Sequence, residues 1–157
     1  MKSVVSATIA TPFGLAYYLE ACDDAITFGS FKRTKRLTRT HTQPLLREAV
    51  SQIKAYFRRR LRRFDLPLSY GGTPLQHAAW SAICDLEFGH LVSYADVARA
   101  INKPHAHRAV AAAMAITPID LLIPAHRVLG SDGRIKGAGP RSPRARLIRF
   151  ENPNYSF

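Results

Sequence analysis

Apolar residues alternate through residues 3–31 and recur at helical spacing from residue 44 onward. This change of period, from about two to about 3.6 residues, commits the chain to a small sheet followed by helices. Val4, Ser6, Thr8 and Ala10 lead into a Thr11-Pro12-Phe13-Gly14 turn. Leu15 to Ala21 then runs to an Asp23-Asp24 turn, and Ala25 to Phe31 follows, which predicts three short antiparallel strands. Lys32 to Arg39 is a basic stretch expected to be an exposed, mobile linker. Pro44 suits the first turn of a helix over 44–63, with Leu46, Val50, Ile53, Phe57 and Leu61 as its buried stripe.

After an extended piece from Phe64 to Tyr70, Gly71-Gly72 marks a junction. Thr73-Pro74 opens a helix carrying Leu75, Ala79, Ile83 and Leu86 and ending near Gly89. Ser93 caps a helix over 94–101, Pro104 opens another over 104–116, and Ser142-Pro143 opens a last one over 144–150. The expected fold class is therefore α+β: a small N-terminal antiparallel sheet with a helix over 1–70, then a mainly helical domain over 71–157 containing a helix-turn-helix.

The charge is lopsided. The 157 residues hold 23 Lys and Arg against 11 Asp and Glu, a formal net of +12. Such an excess points to a polyanionic partner, with a merely solubilising surface as the alternative. No segment joins a basic face to exposed Trp, Phe or Leu as an interfacial helix would, so nucleic acid is favoured over membrane. On the face of the 44–63 helix, Arg47, Lys54 and the Arg58 to Arg63 run fit either a solvated surface or attraction of phosphate. No apolar run approaches the ~18 residues of a membrane span. A soluble, intracellular monomer is expected, in the cytoplasm with the nucleoid or in the nucleus. Cys22 and Cys84 read as buried thiols rather than a bridge.

Two features carry the chemistry. Leu121-Leu122-Ile123-Pro124-Ala125-His126-Arg127-Val128 is an apolar run that would place residue 125 at a pocket mouth beside an imidazole. A Cys there would be a His-activated nucleophile, but Ala has neither lone pair nor proton. The paired helices 94–101 and 104–116 form a helix-turn-helix pattern. The second carries four alanines within Ala109 to Ala113, flanked by Arg108. That smooth face admits a groove backbone or, equally, a close helix neighbour.

The stretch from Pro74 to Glu151 resembles the catalytic domain of the O6-alkylguanine-DNA alkyltransferases, the methylated-DNA–protein-cysteine methyltransferases. Val92-Ser93-Tyr94, Arg108-Ala109-Val110, Ile123-Pro124-x-His126-Arg127-Val128, Gly130-Ser131-x-Gly133 and Glu151 carry the likeness, in order and spacing. The N-terminal strands, the Pro12-Phe13-Gly14 turn and the 44–63 helix resemble that family's ribonuclease H-like N-terminal lobe more loosely. The resemblance implies minor-groove binding by the helix-turn-helix. It makes Arg108 the residue that replaces a flipped-out nucleotide, and Tyr94 the one that presses on the adjacent phosphate. Ser93, Ala109, Ala112, Ala113 and Arg127 are further DNA-binding candidates. Pro124, Thr117, Val128, Gly137, Ala138 and Gly139 are pocket candidates.

The family's thiolate takes the alkyl group from guanine O6, held deprotonated by a His linked through water to a Glu. His126 and Glu151 match that pair, and Ala125 matches the Cys. Cys22 lies in the other lobe and Cys84 within a helix, so neither substitutes. Thr117-Pro118 replaces the usual Asn-Pro, residues 137–140 lack the usual Tyr, and Ala111-Ala112 replaces a stretch that commonly holds Gly. These departures favour natural loss of the nucleophile, as in alkyltransferase-like proteins, over deliberate Cys-to-Ala replacement.

The expected function is a damage sensor that flips O6-alkylguanine in double-stranded DNA and marks it for repair, with nucleotide-excision repair proteins as partners. The alternatives are an alkyltransferase inactivated at residue 125 and a lesion-independent DNA-binding protein. His41, His77 and His90 lack ligand spacing, so no metal and no cofactor are expected. Trp80 reads as core, His105 and His107 as exposed, and the tail from Asn152 as loose, with Tyr155 and Phe157 able to pack back.

Overall fold

The computed structural model describes residues 3–38 and 41–156. The chain is α+β and divides into two compact units. The first comprises residues 1–70 with 118–120, and the second comprises 71–117 with 121–157. The three residues 118–120, placed by sequence with the helical part, belong instead to the first unit.

In the first unit, strands β1 (Val5–Ala10), β2 (Ala16–Ala21) and β3 (Ile26–Lys32) form an antiparallel sheet in chain order. β1 and β2 pair in continuous register, Ile9 facing Tyr17 and Ala7 facing Leu19. Those four are buried, so one face of the sheet is the core face. Helix α1 (Pro44–Phe57) covers it with Leu46, Ala49, Val50, Ile53 and Tyr56.

α1 is shorter than the expected 44–63. Arg59 adopts φ 61°, and the Arg60 N–H donates to the Ala55 carbonyl at 2.9 Å, a left-handed helix ending of the Schellman type. The reversal lets buried Gln52 hold the returning chain, because it accepts from the Asp65 N–H at 2.9 Å and donates to the Asp65 carbonyl at 3.0 Å. The arginines from 59 to 63 therefore lie beyond the helix, and Leu61 is only half-buried. The basic segment expected to be mobile is tied down at its end. The Thr38 N–H donates to the Thr8 carbonyl at 2.9 Å, and the Thr38 hydroxyl accepts from the Thr8 N–H at 2.9 Å. Arg39 lies outside the described residues.

β3 is bordered on its outer edge by Leu68 and Ile119, which bridge to Ile26 and Gly29. Gly29 is required there by close approach. Tyr17 is fully buried and crosses β3 to donate its hydroxyl to the Asp120 carbonyl at 2.6 Å. A Cβ on Gly29 would stand 2.1 Å from that hydroxyl oxygen and 3.2 Å from Ile119.

In the second unit, helix α2 (Pro74–Ile83) starts with a capping box between Thr73 and Gln76. Strand β4 (Val92–Ser93) leads into α3 (Tyr94–Ala100), and α4 (His107–Ala115) follows. A 3-10 turn over Ala125–Arg127 leads into β5 (Val128–Leu129), and α5 (Pro143–Glu151) ends the unit. β4 and β5 pair in parallel, Val92 with Val128 and Ser93 with Leu129. Trp80 is buried, as its residue type implied, and its indole N–H donates to the Ala113 carbonyl at 3.0 Å.

Three boundaries differ from expectation. α2 stops at Ile83, not near Gly89. The turn between α3 and α4 spans 101–106, because Asn102 takes φ 59° and the Lys103 N–H closes on the Ala98 carbonyl at 2.9 Å. Pro104 therefore sits in the turn rather than opening α4. Glu151 is the last residue of α5, not a residue after it. The tail is also less loose than expected. Tyr155 packs on Leu129, Ile135, Ala145 and Ile148, and its hydroxyl donates to the Gly133 carbonyl. Phe157 lies outside the described residues.

Gly29→Ala is expected to lower the unfolding free energy by about 2–3 kcal/mol, because Tyr17 is locked and cannot move aside. Urea unfolding of the two proteins checks this.

Candidate functional site

The C-terminus of α5 and the 3-10 turn meet over one buried carboxylate. Glu151 Oε1 lies 2.8 Å from His126 Nε2. Arg127 donates through Nε to Oε2 at 2.9 Å and through a terminal nitrogen to Oε1 at 2.7 Å. The Gly89 N–H donates to Oε2 at 3.1 Å, and Arg127 also donates to the Leu86 carbonyl at 2.7 Å. These last two contacts explain why α2 stops early, since the 84–90 segment must turn to present a carbonyl and an N–H to the cluster.

All three charged or ionisable members are buried, with His126 at 2% and Arg127 at 5% relative exposure. Burial alone would raise the Glu151 pKa. The charge and hydrogen bond of His126, and those of Arg127, outweigh it and hold the carboxyl far below its ordinary value. Burial lowers the His126 pKa, and the Glu151 carboxylate only partly opposes this. The net direction favours the neutral imidazole. Glu151 is an acceptor only, so Nε2 carries the proton and Nδ1 presents a lone pair. That Nδ1 is buried without a hydrogen-bond partner among the described residues. The turn is thus built to offer a buried acceptor whose tautomer is fixed by Glu151.

Ala125 begins the turn, with its N–H donating to the Ile123 carbonyl at 2.8 Å. It is 2% exposed, so it sits inside the protein and not at a mouth as expected. Pro124 and Val128 are equally buried, the latter in β5.

A groove of about 460 Å³ lies beside α3 and α4, lined by Tyr94, Ala95, His107, Arg108 and Ala111 and by the loop residues 130–132 and 134–136. The Tyr94 hydroxyl accepts from the Lys136 N–H at 3.1 Å, which fixes the ring and leaves its own proton to donate. Arg108, His107, Arg134 and Lys136 are exposed around the groove, opposed by Asp132. Ala109 and Ala112 are exposed on α4 beside Arg108, forming a small-residue face.

Several expected site residues have other roles. Ala113 is buried, and its carbonyl serves Trp80, so it cannot face a groove. Arg127 is committed to Glu151 and Leu86 and cannot reach DNA. Ser93 caps α3, its hydroxyl accepting from the Asp96 N–H at 3.0 Å. Thr117 donates to the Met114 carbonyl at 2.9 Å. Gly137 and Gly139 are exposed, and Ala138 packs on the cluster around Leu129 and Ile135. Sequence reading missed Arg134, Lys136 and Asp132 as groove residues, since nothing local distinguishes them in a polar loop. It also missed the Leu86 and Gly89 backbone groups. Neither cysteine is in a disulfide, and both are half-buried rather than buried.

With this geometry in place, comparison with known proteins is decisive. Residues 74–152 match the family described as 6-O-methylguanine DNA methyltransferase, DNA binding domain. This chain belongs to that family. It is 45% identical over 109 residues to the methylated-DNA–protein-cysteine methyltransferase of Methanosarcina barkeri, covering 69% of each chain. It is 34% identical over 158 residues to the constitutive methyltransferase of Bacillus subtilis, covering 94% of this chain and 95% of that one. The fold matches the crystal structure of the Mycobacterium tuberculosis O6-methylguanine methyltransferase with TM-score 0.82 and 28% identity, over 98% and 96% of the two chains. A structure of that organism's OGT in complex with DNA matches with TM-score 0.79 and 31% identity, over 94% and 92%. The methyltransferase family thus supplies both the α+β architecture and DNA as its partner.

Glu151→Gln removes the charge that compensates buried Arg127, so a loss of about 3–5 kcal/mol in unfolding free energy is expected by urea titration. Acid should act in the same direction. The folded pKa values of His126 and Glu151 both lie below their ordinary values of about 6.5 and 4.5, so the unfolded chain binds more protons. Stability should fall as pH drops below about 6.5 and fall further below about 4.5. Thermal unfolding midpoints measured from pH 7.5 to 4 check this, and a flat profile would refute the burial-driven shifts.

Proposed function

We propose that this member of the methyltransferase family is an alkyltransferase-like DNA-repair protein, which recognises O6-alkylguanine without accepting the alkyl group. The observation that carries the reading is Ala125 next to an intact His126–Glu151 pair. In-line transfer from guanine O6 needs a lone pair on the attacking atom, and a methyl side chain has none. His126 Nδ1 would draw the proton from an acid at residue 125, and here there is no proton to draw. Cys84 caps the end of α2 and Cys22 belongs to the other unit, so neither replaces it.

Recognition has what it needs. Exposed Arg108 projects from α4 beside the small faces of Ala109 and Ala112, at the rim of a groove that Tyr94 lines. A planar guanidinium can enter a base stack and fill the space of an extruded nucleotide, while the small-residue face allows the helix to approach the minor groove. Tyr94, held by Lys136, keeps a hydroxyl proton for a backbone phosphate. Extrusion costs a few kcal/mol, least for a damaged pair, which favours the alkylated base. A protein that holds the lesion without repairing it would pass it to nucleotide-excision repair, inside the cell and at the DNA.

A second reading has its own support. A neutral imidazole with a fixed tautomer and a buried, unused Nδ1 is apparatus for activating a nucleophile. This fits an alkyltransferase inactivated at residue 125.

One experiment separates the readings. Binding is measured to duplexes with and without a single O6-methylguanine, for the protein as it stands and for Arg108→Ala. A preference of about tenfold or more for the lesion, about 1.4 kcal/mol, is expected, falling toward unity in the variant. Equal affinities would leave a lesion-independent DNA binder. Transfer of a labelled methyl group should be absent with Ala125. Ala125→Cys restoring it would support the second reading for the parental site.

A further inference from the structure

The charge of this chain is not centred on the helix-turn-helix. Twelve of its 23 Lys and Arg lie within residues 32–63, against a single acidic residue there, Glu48. That segment belongs to the first unit, which holds none of the groove residues described above.

The fold gathers part of this charge around a cleft. β1 is an outer strand of the sheet, and β2 is its strand neighbour among the described residues. The basic segment returns along that edge and is fastened there by the paired Thr8–Thr38 hydrogen bonds. The C-terminal half of α1 forms the facing wall. Between them is a cleft of about 310 Å³, lined by Thr8, Thr38, Leu37, Lys54, Phe57 and Arg58 among others. Lys54 and Arg58 lie one turn apart on the same face and are exposed, and neither makes an ion pair among the described residues. Phe57 is fixed by an edge-on contact with Phe13, ring centroids 5.6 Å apart, so the floor is rigid. His41 stands near enough to feel the Lys54 charge. Lys35 and Arg36 are exposed on the returning strap, and Arg60 just past the helix end. Glu48 accepts a hydrogen bond from Gln52, one turn along α1, and does not line the cleft.

We propose that the cleft between the β1 edge and the C-terminal half of α1 is a second DNA site, which grips backbone phosphates of duplex DNA through Lys54 and Arg58 and reads no bases. Three features favour duplex phosphate over other anions. The surrounding charge forms an extended field, suited to a linear polyanion rather than one small ion. The cleft is open and carries two long, exposed cations with Thr side chains, which suits sequence-independent backbone contacts. The family binds DNA, so duplex DNA is the polyanion that this charge is expected to meet. The site adds affinity that is indifferent to damage, and it rests on DNA binding by the family and not on lesion recognition.

The test compares Lys54→Ala/Arg58→Ala with a charge-matched control, Arg33→Ala/Arg47→Ala, whose exposed residues do not line the cleft. Affinity for an unmodified duplex of about 20 base pairs is measured from 50 to 300 mM salt, after equal thermal midpoints confirm folding. Each lost phosphate contact lowers the slope of log K against log salt by about 0.9, so the cleft variant should lose about 1–2 units and the control markedly less. Affinity at 0.1 M salt should fall about tenfold or more in the cleft variant, with any ratio between methylated and unmodified duplex unchanged. Equal slopes for the cleft variant and the control would overturn the proposal. So would tight binding of inorganic phosphate alone at the cleft, read by calorimetry. A wild-type protein that ignores the lesion would defeat the damage-sensor reading and leave the slope comparison standing.

Discussion

The second unit depends on a single buried carboxylate. Glu151 accepts hydrogen bonds from His126, twice from Arg127 and once from the Gly89 backbone. It thereby ties the end of α5 to the 3-10 turn and to the loop after α2. Desolvating these groups is expensive, and the hydrogen bonds that satisfy the carboxylate and the guanidinium make the arrangement tolerable. Each partner constrains the others. Without Arg127 the carboxylate would not stay so strongly ionised, and without the carboxylate His126 would have no fixed tautomer. The position of Ala125 is a consequence, since it opens the turn that this cluster anchors.

That dependence makes the frame independent of what residue 125 is. The cluster stabilises the fold whether or not residue 125 is a nucleophile. Replacing a thiol by a methyl group leaves Glu151, Arg127 and Gly89 fully bonded and costs the structure little. The presence of His126 and Glu151 alone is therefore weak evidence for alkyl transfer. The exposed Arg108 and the small exposed alanines, which contribute nothing to the core, are better evidence that DNA recognition is kept. The first unit has its own organising contact in Tyr17, which reaches across Gly29 to the Asp120 carbonyl. It draws residues 118–120 to the sheet edge.

Much of this was legible in advance. The alternating residues 3–31 and the caps at Thr73, Ser93 and Ser142 were readable because they are local: a side-chain oxygen three residues before an N–H, or a side chain every second position. Arg108, His126 and Glu151 stood in a recognisable order. The ends of α1 and α2 were not readable. Each helix stops where a distant partner needs the chain, Asp65 for Gln52 and Glu151 for Gly89. Arg127 stood among the DNA-binding candidates that followed from the family resemblance. Its burial depends on a carboxylate 24 residues away in sequence. Ala113 and Ala112 are indistinguishable by type, and only the helix phase relative to Trp80 sends one inward.

The sequence by itself determined the α+β class, the family, the excess of cations and the absence of a nucleophile at residue 125, because each follows from residue identity, order or short-range periodicity. Only the tertiary structure decided that Ala125 is buried, that Arg127 holds a carboxylate rather than DNA, and that Lys54 and Arg58 face a cleft beside the Thr8–Thr38 strap. The reason is the same in each case. Burial, ionisation state and the direction of a long side chain are set by groups far away in sequence, and only folding brings them together.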